Sequence, residues 1–581
     1  MSAVEGVQAA YAAIEAADRP EIWITLRPRD EALAEAAAVD ERAAGERLPL
    51  AGLVAAVKDN IDVAGLPTTA GAPSYAYIPD TDATCVARLR AAGAVVLGKT
   101  NMDQFATGLV GTRSPYGAVR NAWDPARISG GSSSGSAVAV ALGLVDMALG
   151  TDTAGSGRVP AALNGIVGVK PTRGLIPATG VVPACRTLDC VTVFARSLDL
   201  AGSAIAIMTG PDGKDPLARA LPPASEFPGH ARGFTLAGPN AQSGRPRLAI
   251  PLPSQLDGLA DGWAEAFAAA VARFRAAGAE VVPVDIAPLL EAATLLYGGA
   301  FVAERYAAVG AHIEAHQHLI GTGLDPTVAR IILDGAKPTA AEYFADRERL
   351  DLLGAKAAEA LSGFDALLTP TTTRHPTIAE VKADPVGVNA YLGRYTNFAN
   401  LLDMAAVAVP GAKTVSGDPF GIMVSGVAWS DARLGRIAAL LAEAPVDLLV
   451  VGAHLSGQPL NHELLAAGGV LVSEVTTADR YRLYALATTP AKPGLVRVAD
   501  GSGAGIAGEV WRLPAAGFAR FMSGLAAPMT IGVVGLSDGR EVLGFLCEPC
   551  AVDGAADITG DGGWRAFRVS TARSAGPTAL R

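Results

Sequence analysis

The sequence predicts an α/β fold with a smaller, strand-rich unit at its C-terminal end. From Leu50 to about residue 440, short apolar runs alternate with helical patterns, as in a sheet covered by helices on both faces. The helical pattern of Ala432–Ala444 is then broken at Pro445, and short strands separated by glycine turns follow to about residue 570. We therefore expect two domains, residues 1–440 and 447–570, which suits a chain of 581 residues.

The elements of the first domain follow from the spacing of apolar residues. Alanine, leucine and isoleucine at helical spacing predict helix over residues 1–45. The apolar run Leu53–Val57 predicts a strand, and residues 210–245, rich in proline and glycine, predict a long surface excursion. The other predicted elements are helices at Cys85–Ala92, Ala137–Leu144 and Leu259–Ala277, and strands at Ala94–Leu97, Arg247–Ile250 and Asp365–Leu368.

The second domain is predicted to be mostly β. Short runs rich in branched and aromatic residues are separated by glycine turns, which is the pattern of successive strands. The predicted strands are Leu448–Val451, Gly469–Val472, Tyr481–Ala487, Gly508–Leu513, Thr530–Val534 and Val542–Leu546.

Charge and hydropathy narrow the classes of function. The net charge is −10 and no dense lysine or arginine run occurs, which argues against a nucleic-acid partner. The N-terminal residues lack the basic start and apolar core of a signal peptide. The most apolar segment, Ser136–Leu149, is too short to span a membrane. With only five cysteines, the chain is predicted to be cytoplasmic, with no membrane partner.

Two glycine- and serine-rich segments, Gly130–Ser136 and Gly150–Ser156, flank the predicted apolar helix. Taken singly, each is equally well explained as a flexible loop. A flexible linker is not expected inside a packed unit, so the pair is better explained as part of that unit, although glycine and serine richness alone would leave Ser156 a loop serine.

A serine nucleophile needs a base, and the first histidine of the chain is His230, far beyond these segments. Lys58 follows a predicted apolar strand, where burial disfavours its charged form and lets the neutral amine accept a proton. Taken alone, a single lysine is better explained as a solvated surface charge.

From Leu50 to Val193 the chain resembles the amidase signature family. The matching segments are Val57–Asn60, Gly98–Asp103, Gly130–Ser136, Gly150–Pro160 and Gly168–Thr172. The resemblance implies a mixed central sheet covered by helices and no cofactor or metal. It also implies a triad in which Lys58 deprotonates Ser132, a serine in a cis peptide, and Ser132 activates the nucleophile Ser156.

The same resemblance implies that the turn formed by Thr153, Ala154 and Gly155 provides the oxyanion hole. The sequence departs from the family at two positions, Ser134 and Ala154, where relatives often have glycine. Both side chains are small, so the implied mechanism is compatible with them.

Two further segments, Asp103–Gly117 and Val182–Cys190, resemble the allophanate hydrolase branch of this family. In that branch a tyrosine and an arginine eight residues apart hold the substrate carboxylate, which here implies Tyr297 and Arg305. On one helix this spacing would put both on roughly one face. Without the resemblance, a tyrosine at the edge of the core and a surface arginine explain the pair better. The resemblance also implies that Gly108 and Ser133 bind substrate.

The segment Val450–Asn461 resembles the start of the domain appended to allophanate hydrolases. That domain is similar to gamma-glutamylcyclotransferase folds, so a smaller α+β domain is expected. In the family it is implicated in decarboxylating the first product. His454 is the candidate residue for that step, with Glu509 a weaker one, and a structural loop histidine explains His454 equally well.

Other motifs are discounted. Cys547 and Cys550 form a lone CxxC without the second pair that a zinc site needs. His312 and His316, with His318 nearby, lack the glutamate of an HExxH motif and predict a solvated helix face.

The resemblance therefore implies hydrolysis of the terminal amide of allophanate to ammonia and N-carboxycarbamate, which then decarboxylates, within urea degradation. It further implies a homodimer and functional coupling to a biotin-dependent urea carboxylase. The alternatives are another small-amide amidase, an amidotransferase A-type subunit, or a catalytically inactive binding scaffold. The joint presence of Lys58, Ser132 and Ser156 argues against the scaffold.

Overall fold

The computed structural model describes residues 2–222, 245–411, 413–441, 446–499, 501–513 and 515–574. The chain divides into two compact units, Met1–Leu441 and Ala442–Arg581. His230, most of the predicted excursion at 210–245, and the predicted helix end and break at 442–445 lie outside the described residues.

The first unit is built around a mixed sheet of eleven strands within the described residues. The strands are β1 Trp23–Leu26, β2 Val54–Lys58, β3 Val95–Thr100, β4 Met147–Asp152, β5 Val167–Lys170, β6 Cys190–Ala195, β7 Arg247–Pro251, β8 Glu280–Val284, β9 Ala366–Pro370, β10 Ala405–Pro410 and β11 Gly421–Gly426. Their order in the sheet is β1-β3-β2-β4-β6-β5-β10-β11-β9-β7-β8. β2 runs parallel to both β3 and β4, so these three strands end at the same edge.

Helices cover this sheet. They are α1 Ala3–Ala17, α2 Arg29–Ala43, α3 Thr84–Ala91, α4 Ser134–Ala141, α5 Val159–Asn164, α6 Leu198–Met208, α7 Trp263–Ala276, α8 Ala287–Gly298, α9 Ala303–Ala315, α10 Pro326–Asp334, α11 Ala340–Ala360, α12 Ile378–Ala383, α13 Gly387–Leu392, α14 Asn397–Leu401 and α15 Asp431–Ala439. None of the described helices is both long enough and apolar enough to cross a bilayer.

Two hydrophobic cores lie on the two faces of the sheet. In β2, Ala55 and Val57 belong to one core, and Val54 and Ala56 belong to the other, together with Ala137 of α4. Because strand side chains alternate between faces, this separation shows that the sheet is buried on both sides. The predicted α/β architecture is confirmed.

The prediction of helix over residues 1–45 is confirmed for α1 and α2 but is wrong for β1, which lies between them. α1 ends at Ala17, Pro20 opens a short 3-10 turn, and β1 then pairs antiparallel with β3 at the sheet edge. Proline has no N–H to continue a helix, and its ring fits the first turn of a new one, so the chain is redirected there.

The second unit is an α+β domain. Its described strands are β12 Val446–Val450, β13 Val470–Thr476, β14 Tyr481–Leu486, β15 Lys492–Arg497, β16 Ala507–Leu513, β17 Met529–Gly535, β18 Glu541–Cys547 and β19 Ala556–Asp557, and its helices are α16 Asn461–Ala466, α17 Ala515–Ser523 and α18 Trp564–Ser574. A five-stranded sheet has the order β13-β16-β12-β18-β17, and β15-β14-β19 form a second sheet.

A buried ion pair connects the end of β4 to the rest of the first unit. Arg158 donates through Nε and Nη2 to the carboxylate of Asp152, at 2.9 and 2.8 Å, and both side chains are fully buried. Arg158 also donates to the Thr396 carbonyl and to Asn400 Oδ1. Burial opposes ionisation of Asp152, but the guanidinium more than offsets this and lowers the pKa of the carboxyl. The pair therefore fixes both ends of the turn at residues 153–157.

We expect Arg158→Met to destabilise the first unit by about 3–5 kcal/mol, because it leaves the Asp152 carboxylate buried without its partner. Scanning calorimetry of the full chain measures this. The control is Arg347→Met, which removes an exposed pair with Asp351 and should change stability by less than about 1 kcal/mol. Equal effects of the two changes would contradict the assignment.

Candidate active site

Lys58 is the last residue of β2, and strand alternation sends its side chain to the face covered by α4. Ser132 lies just before α4, and Ser156 lies in the turn between β4 and α5. Because β2 and β4 are parallel neighbours, their C-terminal ends bring Lys58 and that turn together.

The three predicted triad residues form one continuous chain of polar contacts. Lys58 Nζ lies 2.8 Å from Ser132 Oγ, and Ser132 Oγ lies 3.0 Å from Ser156 Oγ. The peptide bond between Gly131 and Ser132 is cis, as the resemblance implied. All three side chains are buried. A proton can therefore pass from Ser156 to Ser132 and on to Lys58 without reaching solvent.

Burial governs the charge of Lys58. Complete burial is the largest influence and lowers the pKa of the amine to about 7, so a neutral amine is accessible near neutrality. Three carboxylates act in the opposite direction: Asp103, Asp152 and Asp189. Lys58 Nζ also donates to Thr151 Oγ1 at 2.8 Å, which points its remaining lone pair or proton at Ser132.

Asp189 is hydrogen-bonded to the turn that is predicted to form the oxyanion hole. Its carboxylate accepts from the Thr153 hydroxyl and from the Ala184 backbone N–H at 2.8 Å. Burial raises the pKa of Asp189 to about 6. Gly155 has φ +150°, and a Cβ there would lie 2.4 Å from Thr396 Oγ1, so only glycine fits. The oxyanion role of Thr153, Ala154 and Gly155 stays a prediction.

Asp103 shapes the loop beside the nucleophile. Its carboxylate accepts from the backbone N–H groups of Val110, Gly111 and Arg113, at 3.2, 3.0 and 2.9 Å. This loop begins at Gly108, whose carbonyl accepts from Ser156 Oγ at 3.5 Å. The structure thus places Gly108, a predicted substrate-binding residue, in contact with Ser156, the predicted nucleophile.

Ser133, the other small residue predicted to bind substrate, is fully buried and donates to the Thr151 carbonyl at 3.1 Å. Its hydroxyl therefore joins α4 to β4. Ser134, a departure from the family pattern, donates to the Asn101 carbonyl at 3.1 Å and is accommodated.

The expectation that Tyr297 and Arg305 share one helix is wrong. Tyr297 lies near the end of α8, and Arg305 lies in α9. The helix ends at Gly298 and Gly299, and a 3-10 turn at Ala300–Val302 separates the two helices. The two side chains still meet: Arg305 Nη2 donates to Tyr297 Oη at 3.0 Å.

Arg305 is a buried cation that forms no ion pair with a described residue, although the charge of the buried Asp189 reaches it. It is only 1% exposed, and within the described part of the chain no carboxylate lies within 4.0 Å of its guanidinium. Nη1 donates to Thr107 Oγ1 at 2.9 Å, and Nε lacks a hydrogen-bond partner among the described residues. Thr107 precedes Gly108, so Arg305 is hydrogen-bonded to the neighbour of a residue whose carbonyl contacts Ser156. Such a site favours an anionic ligand.

His454 lies in the second unit, in the loop after β12. Its Nε2 is 2.9 Å from Glu463 Oε2, and its ring stacks on Phe545 with centroids 5.0 Å apart. Burial lowers the pKa of His454, although Glu463 partly opposes this. Glu509 is instead fully engaged: it accepts from Ser456, Trp511 and Arg565 and serves as a structural anchor.

The histidine and cysteine motifs that sequence analysis discounted as metal sites lie in different environments. His312 is half-buried rather than solvated, since it packs against Tyr75 and Phe105 and contacts Ser74 Oγ at 3.1 Å. Cys547 is buried and Cys550 is exposed. No group of three or more potential ligands among the described residues is arranged to hold a metal ion.

Asp103, Thr151 and Asp189 were missed by sequence reasoning. All three lie inside the segments that carry the resemblance, and Thr151 lies two residues before the predicted oxyanion turn. An acid in an otherwise apolar segment, such as Asp189 beside Leu188 and Cys190, is a signal that could have identified one of them.

We expect amide hydrolysis to rise with pH through about 7, because the neutral amine of Lys58 is the competent form. Below that value the rate should fall by about tenfold per pH unit. Initial rates from about pH 5 to about pH 9 measure this. Lys58→Arg, which stays protonated, should be inactive throughout; a flat profile or an active Lys58→Arg variant would exclude Lys58 as the base.

Comparison with known proteins agrees with this geometry. The family model described as Amidase matches residues 5–434, and the model described as Allophanate hydrolase C-terminal domain matches residues 446–569. The chain is 40% identical to the urea amidolyase of Lachancea kluyveri over 585 residues, which takes in 94% of this chain and 31% of that protein. It therefore spans about a third of that relative's length.

Two further relatives bear on the two units. The crystal structure of Kluyveromyces lactis allophanate hydrolase superimposes with a TM-score of 0.69 at 38% identity, covering 98% of this chain and 97% of that one. The A-type subunit of the Symbiobacterium thermophilum glutamyl-tRNA(Gln) amidotransferase is 37% identical, but the match covers 67% of this chain and 82% of that protein. The chain belongs to the amidase family and carries the C-terminal domain of the allophanate hydrolases.

Proposed function

We propose that this protein is an allophanate hydrolase. The observation that carries the proposal is the buried guanidinium of Arg305, which has no ion-pair partner among the described residues. It donates hydrogen bonds to Tyr297 and to Thr107, and Thr107 precedes Gly108, whose carbonyl contacts Ser156. A small amide that also bears a carboxylate fits this arrangement, and allophanate is such a molecule.

In the proposed reaction the neutral amine of Lys58 accepts the Ser132 proton while Ser132 accepts that of Ser156. Ser156 Oγ then attacks the terminal carbamoyl carbon, and the carbonyl electron pair moves to oxygen, at the N–H groups of the 153–155 turn. The C–N bond breaks, the proton returns to the leaving nitrogen, and ammonia departs. Water cleaves the resulting carbamoyl ester by the same relay and gives N-carboxycarbamate.

The second unit is proposed to act on that product. His454 is the candidate proton donor for its decarboxylation, since the histidine is buried in the second unit and held by Glu463. The match to the Allophanate hydrolase C-terminal domain supports this assignment. The name of the urea amidolyase relative supports a place in urea degradation and coupling to a biotin-dependent urea carboxylase. The homodimer and the cytoplasmic location stay predictions.

The alternative of an amidotransferase A-type subunit is less favoured. The similarity to that subunit of the glutamyl-tRNA(Gln) amidotransferase covers two-thirds of this chain, whereas the allophanate hydrolase structure covers both units. A broader amidase that acts on neutral amides does not use the charge of Arg305.

We expect Ser156→Ala to lower ammonia release from allophanate by about 10⁴-fold or more while the fold is retained. Ammonia is measured with purified full-length protein on allophanate, biuret, malonamate and simple amides. The control is Ser254→Ala, an exposed serine that should leave turnover unchanged. Retained turnover in Ser156→Ala would remove Ser156 from its role, and activity on simple amides but not on allophanate would overturn the proposed substrate.

We expect Arg305→Gln to lower kcat/KM for allophanate by about 10–100-fold, because a charge-assisted pair with the substrate carboxylate is lost. Turnover of biuret, the neutral analogue, should fall much less. The matched control is Arg330→Gln, which changes an exposed arginine of α10. An equal loss on both substrates would show that Arg305 supports the fold and not substrate recognition.

A further inference from the structure

The second unit contains a cavity of about 400 Å³ at the C-terminal end of β12. The loop that follows this strand forms one wall through Gly452 and His454, and Phe521, Met529 and Phe545 form an apolar wall. A Cβ at Gly452 would lie 2.2 Å from Pro493 Cδ, so glycine is needed for the loop to approach β15. The loop that lines the cavity is therefore held closely against β15.

Three of the residues that line the cavity are ionisable: His454, Glu463 and Lys492. Glu463 is engaged with His454 Nε2. Lys492, the first residue of β15, is partly buried, and its ammonium has no hydrogen bond or ion pair within the described part of the chain. Its charge nevertheless reaches His454 and lowers the pKa of the imidazole, an influence secondary to burial and to Glu463.

Lys492 is also the only lysine in the sequence after Lys413, and the other strong cations of the second unit are arginines. A lysine ammonium is a compact point charge that binds one carboxylate without the fixed fork of an arginine. Beside apolar walls, such an ammonium loses part of its hydration. A small anion that binds it there replaces the lost hydration and stabilises the charge.

We propose that Lys492 is the carboxylate-binding residue of this cavity and that the cavity takes small carboxylates. This proposal rests on the proposed function. In the second step, the ammonium of Lys492 holds one carboxylate of N-carboxycarbamate, the one that remains in the product. The other carboxylate then lies away from the ammonium, towards the apolar wall.

This placement favours bond breaking. A carboxylate against apolar side chains lacks solvation, whereas the carbon dioxide that forms from it is neutral and carries no such penalty. The C–N bond breaks, its electron pair stays on nitrogen, and nitrogen takes one proton from His454. The products are carbon dioxide and carbamate, so atoms and charge balance when His454 regains a proton from water.

Malonate, a non-reactive isostere of the dianion, tests the binding site directly. Calorimetric titration of the full chain should find two malonate sites, one of which is lost in Arg305→Gln and the other in Lys492→Met. Lys492→Arg should retain the second site, and His454→Gln should retain it too, since His454 gives the proton and does not hold the carboxylate. Two unchanged sites in Lys492→Met would overturn the proposal.

Turnover of ¹³C-labelled allophanate, followed by NMR, tests the step. Lys492→Met should release the first ammonia at the wild-type rate but prolong the lifetime of N-carboxycarbamate by about tenfold or more. Lys492→Arg should recover most of that loss. The control Arg540→Met removes an exposed charge of the same unit that is paired with Asp538, and should match wild type.

The two proposals fail in different ways. A wild-type lifetime of N-carboxycarbamate in Lys492→Met overturns the role of Lys492 and leaves the proposed function standing. If the unmodified protein releases no ammonia from allophanate, the proposed function is wrong, and the malonate titration still decides whether Lys492 forms an anion site.

Discussion

The burial of one amine, that of Lys58, is the constraint on which the rest of the site depends. A lysine becomes a base near neutrality only if its charged form is disfavoured, and complete enclosure at the end of β2 does this. The cost is met by the surrounding fold: both faces of the sheet are packed, and the Thr151 and Ser132 hydroxyls take the hydrogen bonds of the amine. A more exposed amine would stay protonated and could not start the relay.

The same sheet positions the other reacting groups. Parallel pairing of β2 and β4 aligns their C-terminal ends, and the Asp152–Arg158 pair then fixes the turn that carries Ser156. Asp189 supports this turn through Thr153. Ser156, the proposed nucleophile, is thus fixed by the sheet and its ion pair, whereas Arg305, in α9, is connected to the site through its hydrogen bond to Thr107. In the proposed function, catalysis and substrate recognition are therefore built from different parts of the unit, which would let one family act on different amides.

Local patterns in the sequence were enough to predict the strand before Lys58 and to single out the two serine segments. They were not enough to predict Ser132 as the relay or Ser156 as the nucleophile, because that depends on β2 lying beside β4, a long-range pairing. The resemblance provided those roles. The failures have local causes that only the fold reveals: Pro20 redirects the first helix into an edge strand, and the break at Gly298 and Gly299 puts Tyr297 and Arg305 on different helices. The sequence does not single out Asp189, because its role depends on its hydrogen bonds to Thr153 and Ala184, which only the fold brings about.

The central claim is that Lys58 is neutral near physiological pH, and its titration can be observed directly. The chain has nine lysines, so ¹³C labelling at the lysine ε-carbon gives a small set of resonances, and Lys58→Arg identifies the one that matters. We expect this resonance to titrate with a pKa of about 7. A titration near the ordinary lysine value of 10.5 would contradict the claim.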